Sequence, residues 1–189
     1  MSKLIIFSAP SGAGKTTIVK ELLKKDELKL KFSISAASRA PREGEVHAKD
    51  YYFFSAEEFK TRIANNEFLE WEEVYPNHFY GTLLSEISRI ESEGFNVVFD
   101  VDVVGGVNIK QKFGSEALAI FVMPPSIDEL ENRLKKRATD SAENIAKRVA
   151  KAQKEIEFAP KFDLVVINDN LDTAIELALH NIKIFLKKE

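Results

Sequence analysis

Residues 9–16 read Ala-Pro-Ser-Gly-Ala-Gly-Lys-Thr, and they lie between the apolar run Leu4-Ile5-Ile6-Phe7 and the largely apolar segment 18–23. This order predicts a strand, a tight loop and a helix. Gly12 and Gly14 allow the loop to turn sharply and to direct its backbone N–H groups at an anion, and the following helix adds the positive end of its dipole. The stretch therefore predicts a phosphate-binding loop.

The loop also carries two side chains suited to a nucleotide. Lys15 supplies a mobile cation for the outer phosphates, and the Thr16 hydroxyl can occupy a magnesium position. An ordinary turn does not require the strand, the glycines, the lysine and the hydroxyl together, so nucleotide binding is favoured. Ala9 stands where the motif has its first glycine, and since a left-handed backbone costs alanine about 1 kcal/mol, we expect an ordinary conformation there.

Composition restricts the remaining possibilities. The chain has 189 residues, of which 44% are hydrophobic and 30% charged, enough for one domain with a sizeable core. Its net charge of -3 predicts neither a nucleic-acid nor a membrane partner. It has no cysteine, which excludes disulfides and thiolate metal sites. The apolar run before Pro10 is too short for a secretory or membrane segment, so we expect a cytoplasmic protein.

Further apolar runs at 96–99, 117–123 and 164–167 alternate with segments of helical spacing. This alternation predicts an α/β fold with a parallel sheet. Asp100 and Asp102 follow the first of these runs, at the strand end that faces a ligand cleft in such folds.

The segment between these parts has a different character. In residues 38–44 one arginine precedes a proline and a second follows it. The proline prevents a regular helix, so the chain is extended or turned there and the two guanidinium groups can converge. The alternation of residues 32–35 predicts a half-buried strand, and residues 79–82 are predicted to form a turn that leads into the next helix. The alternation of 68–72 also predicts a strand, with Glu70 on the face opposite Leu69 and Trp71; from the residues alone this is a solvated face.

These motifs resemble those of the guanylate kinases, which are P-loop nucleoside monophosphate kinases. The resemblance rests on residues 10–16 (PSGAGKT), 38–45 (SRAPREGE), 49–51 (KDY), 66–71 (NEFLEW), 80–82 (YGT), 100–102 (DVD) and 167–169 (IND). It implies a three-layer α/β P-loop NTPase fold with a central parallel sheet. It also implies a single domain 1–189, with a core of 1–34 and 83–189, an inserted GMP-binding lobe at about 35–82 and a lid at about 135–147.

The implied activity is the ATP-dependent phosphorylation of GMP, and of dGMP, to the diphosphate in purine nucleotide metabolism, with Mg²⁺ as cofactor. By resemblance, the ATP-binding residues are Ser11, Gly12, Ala13, Gly14, Lys15, Thr16, Thr17, Asn168 and Asp169. The GMP-binding residues are Ser35, Arg39, Arg42, Tyr51, Glu70, Tyr80, Thr82 and Asp102. The catalytic cations are Lys15, Arg133, Arg137 and Arg148. Magnesium is held by Thr16 and, through water, by Asp100.

The chemistry of guanine agrees with these assignments. Guanine presents N1–H and an exocyclic amine side by side, so Glu70 can accept from both, with Asp102 as a second acceptor. Ser35 and Thr82 can donate to O6. Adenine would leave these polar groups unmatched, and a site of this kind discriminates strongly against it. The arginines and tyrosines of the implied site suit a phosphate, because the forked guanidinium matches its oxygens.

Several alternatives remain open at the level of sequence. Tyr51 and Tyr80 are also compatible with core packing, and Arg133 with a surface ion pair. A catalytically inactive guanylate kinase-like interaction module would have the same fold, but such modules typically have a degraded phosphate loop. Residues 102–105 match a short Asp-x-x-Gly pattern of P-loop GTPases, although the chain lacks an Asn-Lys-x-Asp motif.

The chain departs from the family pattern at a few positions. Ala36 and Ala37 replace hydroxyl residues, Val104 replaces glutamine, and Ala138 replaces glycine in the lid. None of these departures removes a charge that the assignments require.

Overall fold

A computed structural model describes residues 2–136 and 141–187. The chain divides into two compact units. The insertion unit contains Lys31–Val97, and the core unit contains Lys3–Leu30 and the chain from Val98 onward. Within the described ranges, no helix is both long and apolar enough to cross a membrane.

The elements follow one another as the sequence pattern predicts, with a strand leading into a helix at most steps. The strands are β1 (Leu4–Ser8), β2 (Leu30–Phe32), β3 (Ser35–Ala37), β4 (Tyr52–Phe53), β5 (Phe68–Tyr75), β6 (His78–Leu83), β7 (Asn96–Asp100), β8 (Ala117–Met123) and β9 (Leu164–Ile167). The helices are α1 (Lys15–Leu23), α2 (Ala56–Ala64), α3 (Leu84–Ser92), α4 (Val103–Phe113), α5 (Ile127–Lys136), α6 (Ala142–Ile156) and α7 (Leu171–Leu186).

The central sheet has five strands in the order β2-β7-β1-β8-β9, which confirms the predicted α/β fold. Strand β8 pairs in parallel with β1, where Leu4 lies opposite Ala117, and with β9, where Ile120 lies opposite Leu164. All five residues of β1 are buried, because helices cover a parallel sheet on both faces. The carboxyl ends of these strands therefore meet at one edge, where ligands bind in such sheets.

The hydrophobic core of the core unit combines the sheet with the apolar faces of its helices. Helix α1 contributes Ile18, Val19 and Leu22, and α5 contributes Leu130 and Leu134. The remaining members from helices are Ile145, Ala152, Ala174, Ala178, Ile182 and Phe185. This packing confirms the helical spacing of the apolar residues in the sequence. It also fixes α1, the helix that follows the glycine-rich loop, against the sheet.

The insertion unit has its own sheet and its own core. Four strands lie in the order β4-β3-β6-β5; β3 is parallel to β4 and antiparallel to β6, and β6 is antiparallel to β5. Helix α2 packs Phe59 against the sheet, with its ring stacked on Phe68 at 4.3 Å between centroids and on Phe79 at 5.4 Å. The sheet that carries the polar side chains of this unit is therefore supported by a small, well-packed aromatic core.

Two predictions about local structure are wrong. Residues 32–35 do not form one strand: β2 ends at Phe32, and β3 begins at Ser35 in the other sheet. The break occurs because the backbone N–H of Ile34 donates to a carboxylate oxygen of Glu86 instead of continuing a strand ladder. Residues 79–82 are not a turn but part of β6, since they pair with strands on both sides.

Glu86 is a buried carboxylate on α3 that connects this helix to β4 and to the segment between β2 and β3. It is 1% exposed, and it accepts hydrogen bonds from Ile34 N at 2.7 Å, from the Tyr52 hydroxyl at 2.8 Å, and from Arg89 Nε at 2.6 Å and Nη2 at 2.8 Å. Burial by itself would raise the pKa of Glu86, but these bonds outweigh it, and the pKa lies below its ordinary value. The carboxylate is therefore ionised and fully engaged.

Candidate functional site

The glycine-rich loop connects β1 to α1 and has the conformation that its glycines allow. Gly12 and Gly14 have φ angles of 100° and 93°, in the left-handed region that L side chains rarely adopt. Gly14 is the N-cap residue of α1, so no side chain caps the helix, and the first backbone N–H groups of the helix remain available to an anion. Ala9 is not among the positive-φ residues, which confirms the ordinary conformation expected there.

A cavity of about 380 Å³ lies over this loop. It is lined by loop residues 9–12 and 14–17 and by three acidic residues, Asp100, Asp102 and Glu155. Within it the Lys15 ammonium forms an ion pair with Asp100 and donates to the Val101 carbonyl at 3.3 Å. Lys15, Thr16 and Asp100 thus all line one cavity, within the core unit.

The predicted catalytic arginines are found in different surroundings. Arg148 on α6 donates from Nη1 to the Ser11 hydroxyl at 3.1 Å, so its guanidinium reaches the loop. Arg133 on α5 donates from Nε to Glu129 at 2.9 Å, as in an ion pair along one helix face. Arg137 and Ala138 lie outside the described residues, as does part of the predicted lid.

Glu155 also lines this cavity, although no motif of the sequence predicted it there. It lies on α6, its side chain is 12% exposed, and its carboxylate lies 3.6 Å from the Lys151 ammonium. Burial raises the pKa of Glu155, while Lys151 and Lys15 lower it and Asp102 raises it further; the net shift is upward. The sequence signal for this position is weak. Glu155 lies three residues after Ala152, on the apolar stripe of α6, and this spacing predicts that its side chain faces inward.

Three further predicted residues have well-defined positions in the core unit. Asp102 is the N-cap of α4, where its Oδ1 accepts from Val104 N at 2.7 Å and Gly105 N at 3.0 Å. Asn168 follows β9, and its side-chain amide donates to the Ala13 carbonyl at 2.7 Å. Asp169 is exposed. The structure therefore places Asn168 directly at the glycine-rich loop.

In the insertion unit, three polar residues lie side by side across the sheet. Thr82 on β6 is opposite Ser35 on β3 and opposite Glu70 on β5. Residues that face each other in antiparallel strands project from the same face, so the three side chains form a row. The Thr82 hydroxyl donates to Glu70 Oε1 at 2.7 Å, which orients the carboxylate. Tertiary pairing, and not local alternation, thus creates the row.

The two arginines of the proline-containing segment differ in their surroundings. Arg39 forms a two-pronged ion pair with Glu45, at 2.6 Å and 2.7 Å, and its guanidinium lies 5.1 Å from the centroid of the Tyr51 ring. These hydrogen bonds to Glu45, followed by the neighbouring Tyr80, raise the pKa of Arg39 despite its burial. Arg42 is exposed, and its backbone N–H donates to Glu45 at 2.7 Å.

Glu45 therefore organises this segment, although the sequence analysis did not assign it a role. Its bonds to Arg39 and to the Arg42 backbone lower its pKa to about 2, so it is ionised at neutral pH. The Nε of Arg39 is buried and has no hydrogen-bond partner within the described ranges. Tyr51 and Tyr80 lie edge to face, 6.3 Å apart, beside this guanidinium. The arginine is held in place while one of its donors remains available to a ligand.

Comparisons with known proteins give one consistent result. A family model described as guanylate kinase matches residues 1–188. A guanylate kinase of Bacteroides fragilis is 58% identical over 185 residues, which cover 98% of this chain and 90% of the relative. One from Porphyromonas gingivalis is 56% identical over 188 residues and the full length of both chains. The crystal structure of guanylate kinase from Anaplasma phagocytophilum has a TM-score of 0.76 at 26% identity, and the match covers 99% of this chain and 87% of that one.

Proposed function

The chain belongs to the guanylate kinase family, and we propose that it transfers the γ-phosphoryl group of ATP to GMP, and also to dGMP, in purine nucleotide metabolism. The observation that carries this proposal is the loop of the core unit, in which two left-handed glycines precede an uncapped helix and Lys15 lies in the same cavity. The inactive module is not favoured, because such proteins typically have a degraded phosphate loop, whereas this chain keeps Gly12, Gly14, Lys15 and Thr16.

The reaction makes few covalent demands on the protein. An oxygen of the GMP phosphate attacks the γ-phosphorus of ATP, and the bond to the oxygen that bridges the β and γ phosphates breaks, so that ADP leaves. Positioning and charge neutralisation supply most of the catalysis. Backbone N–H groups of Gly12 and of residues 14–16 bind the phosphates of ATP, whereas the Ala13 N–H donates to the Pro10 carbonyl at 3.1 Å. Lys15 exchanges its contact with Asp100 for the outer phosphates. Arg148, already in contact with Ser11, adds a second cation at the same loop.

Magnesium fits the residues of this cavity. Within residues 2–136 and 141–187, no group of three or more His, Cys, Asp or Glu side chains is arranged to hold a metal ion. In kinases Mg²⁺ is bound by one or two protein oxygens, by water and by the substrate phosphates. The Thr16 hydroxyl and Asp100 both line the cavity and would hold it. When bound, the ion neutralises charge on the β and γ phosphates.

We assign the guanine base to the polar row of the insertion unit. Glu70 accepts from N1–H and the exocyclic amine, and Ser35 is placed to donate to O6. The Thr82 hydroxyl gives its single proton to Glu70, so it can donate to O6 only by giving up that bond. The hydrogen bond from Thr82 fixes the orientation of the Glu70 carboxylate. For Asp102, contact with the base stays a prediction. In the structure its Oδ1 caps α4.

The GMP phosphate is assigned to the Arg39 cluster. The unpartnered Nε of Arg39 is the buried donor that an anion would satisfy, since a buried donor without a partner costs free energy. Arg42, exposed next to it in the same segment, supplies a second guanidinium. The hydroxyls of Tyr51 and Tyr80 complete the donor set. Arg133 and Arg137 remain predicted catalytic cations.

A coupled assay with ATP and magnesium tests the proposal. We expect turnover of GMP and dGMP to exceed that of AMP, CMP, UMP and dTMP by orders of magnitude, because a site with matched hydrogen bonds discriminates by factors on the order of 10⁴. Equal turnover of GMP and AMP would contradict the assignment of guanine to Glu70. Absence of any phosphoryl transfer would contradict the proposed activity.

A further inference from the structure

Asn168 lies in contact with the glycine-rich loop, although it is 155 residues away from Ala13 in sequence. It follows the last residue of β9, and its backbone N–H donates to the Met123 carbonyl at 2.8 Å, which continues the ladder between β8 and β9. The residue is 6% exposed. Its position is thus determined by the sheet and not by a mobile loop.

The side-chain amide of Asn168 contacts two consecutive loop residues. Its Nδ2 donates to the Ala13 carbonyl at 2.7 Å. A Cβ atom built on Gly14 would lie 2.2 Å from the same nitrogen, so the amide occupies the space that any larger residue at position 14 would require. A residue with a side chain is disfavoured at position 14 for two reasons: the backbone is left-handed there, and Asn168 fills the adjacent space.

This contact determines the orientation of the peptide between Ala13 and Gly14. A trans peptide is planar, so its carbonyl and its N–H group point in opposite directions. Because the Ala13 carbonyl points at Asn168, the Gly14 N–H points away from Asn168, and Gly14 lines the cavity over the loop. An anion in that cavity would meet the N–H and not the carbonyl.

We propose that Asn168 is a positioning residue that sets the phosphate-binding conformation of the loop and contributes to ATP affinity through the phosphates. This inference rests on the proposed function, and it differs from the nucleoside contact that the family resemblance implies for the same residue. The amide is well suited to this role: aspartate has no donor at this position, and glutamine is one methylene too long for the space next to Gly14.

The test separates the two ends of the nucleotide. Inorganic tripolyphosphate and adenosine are each used to displace a fluorescent ATP analogue from native protein and from Asn168→Ala. We expect the dissociation constant of tripolyphosphate to rise about two- to tenfold, the range for loss of one neutral hydrogen bond, and that of adenosine to stay within the error of the assay. Asn181→Ala is the matched control, because Asn181 also donates its amide to a carbonyl, that of Leu177, on α7.

Each other outcome overturns the inference. Weaker adenosine binding alone indicates a nucleoside contact, equal weakening of both ligands indicates general loosening, and no change indicates that the contact is irrelevant to binding. Asn168→Asp, which keeps the shape of the side chain, must also weaken the binding of tripolyphosphate and leave that of adenosine unchanged. Since displacement does not require turnover, failure of this inference is distinguishable from failure of the kinase assay.

Discussion

The exchange Glu70→Gln tests how the insertion unit reads its base. It keeps the shape of the side chain and removes the charge. In the native protein the Thr82 hydroxyl donates to Glu70 Oε1 at 2.7 Å, and the proposed assignment directs the second oxygen, Oε2, at the base. If the glutamine carbonyl keeps the bond from Thr82, its NH₂ group takes the place of that second oxygen. A donor would then face the N1–H and amine donors of guanine.

The expected loss follows from this geometry. A hydrogen bond to a charged group contributes about 1.5–3 kcal/mol, so losing one lowers kcat/KM for GMP by about 10- to 150-fold. Adenine presents an acceptor at N1 beside its 6-amino donor, which is the pattern that a glutamine amide matches. We therefore expect the ratio of GMP to AMP in kcat/KM to fall by at least about tenfold.

Steady-state kinetics with GMP and AMP at saturating ATP measure this ratio. Glu57→Gln is the control, because it makes the same change of charge at an exposed residue in the first turn of α2. Circular dichroism shows whether both variants are folded. A kcat/KM for GMP within threefold of native, with an unchanged preference over AMP, would refute the assignment of Glu70 to the base.

Three further predictions concern charged groups. Lys15→Met should lower kcat by about 10²-fold or more while the protein stays folded, since this charge stabilises the transferring phosphoryl group; near-native turnover in the same assay would exclude that role. Glu86→Ala should lower the free energy of unfolding by about 3–5 kcal/mol, and the unfolding temperature by about 6–20 °C, because the Ile34 N–H and the Tyr52 hydroxyl lose their buried acceptor and Arg89 keeps only Glu93 as a partner. A shift below about 2 °C in thermal unfolding would contradict this. Burial holds the pKa of Glu155 above its usual 4.5, so the folded state binds this proton more tightly and loses stability as the pH rises above that value. Glu155→Gln should therefore unfold at a higher temperature than native protein at pH 7 and at the same temperature near pH 4; lower stability at pH 7 would count against it.

Much of this protein was determined by local sequence. The strand, loop and helix around residues 4–23 were predictable because glycines, apolar periodicity and a helix start act over a few residues. The α/β fold with a parallel sheet followed from the alternation of buried runs with amphipathic helices. Resemblance to a family then added roles for residues such as Glu70, for which local alternation alone favoured a solvated strand face.

Tertiary structure decided what depends on contacts between distant residues. The break between β2 and β3 results from Glu86, a buried carboxylate that accepts the Ile34 N–H from 52 residues away. The row of Ser35, Thr82 and Glu70 exists only through the register of three strands. The contact of Asn168 with the loop exists only because β9 ends beside it. Periodicity predicts which face of a helix or strand is buried. Hydrogen-bond partners, in contrast, depend on how whole elements pack against each other, and no short stretch of sequence encodes that packing.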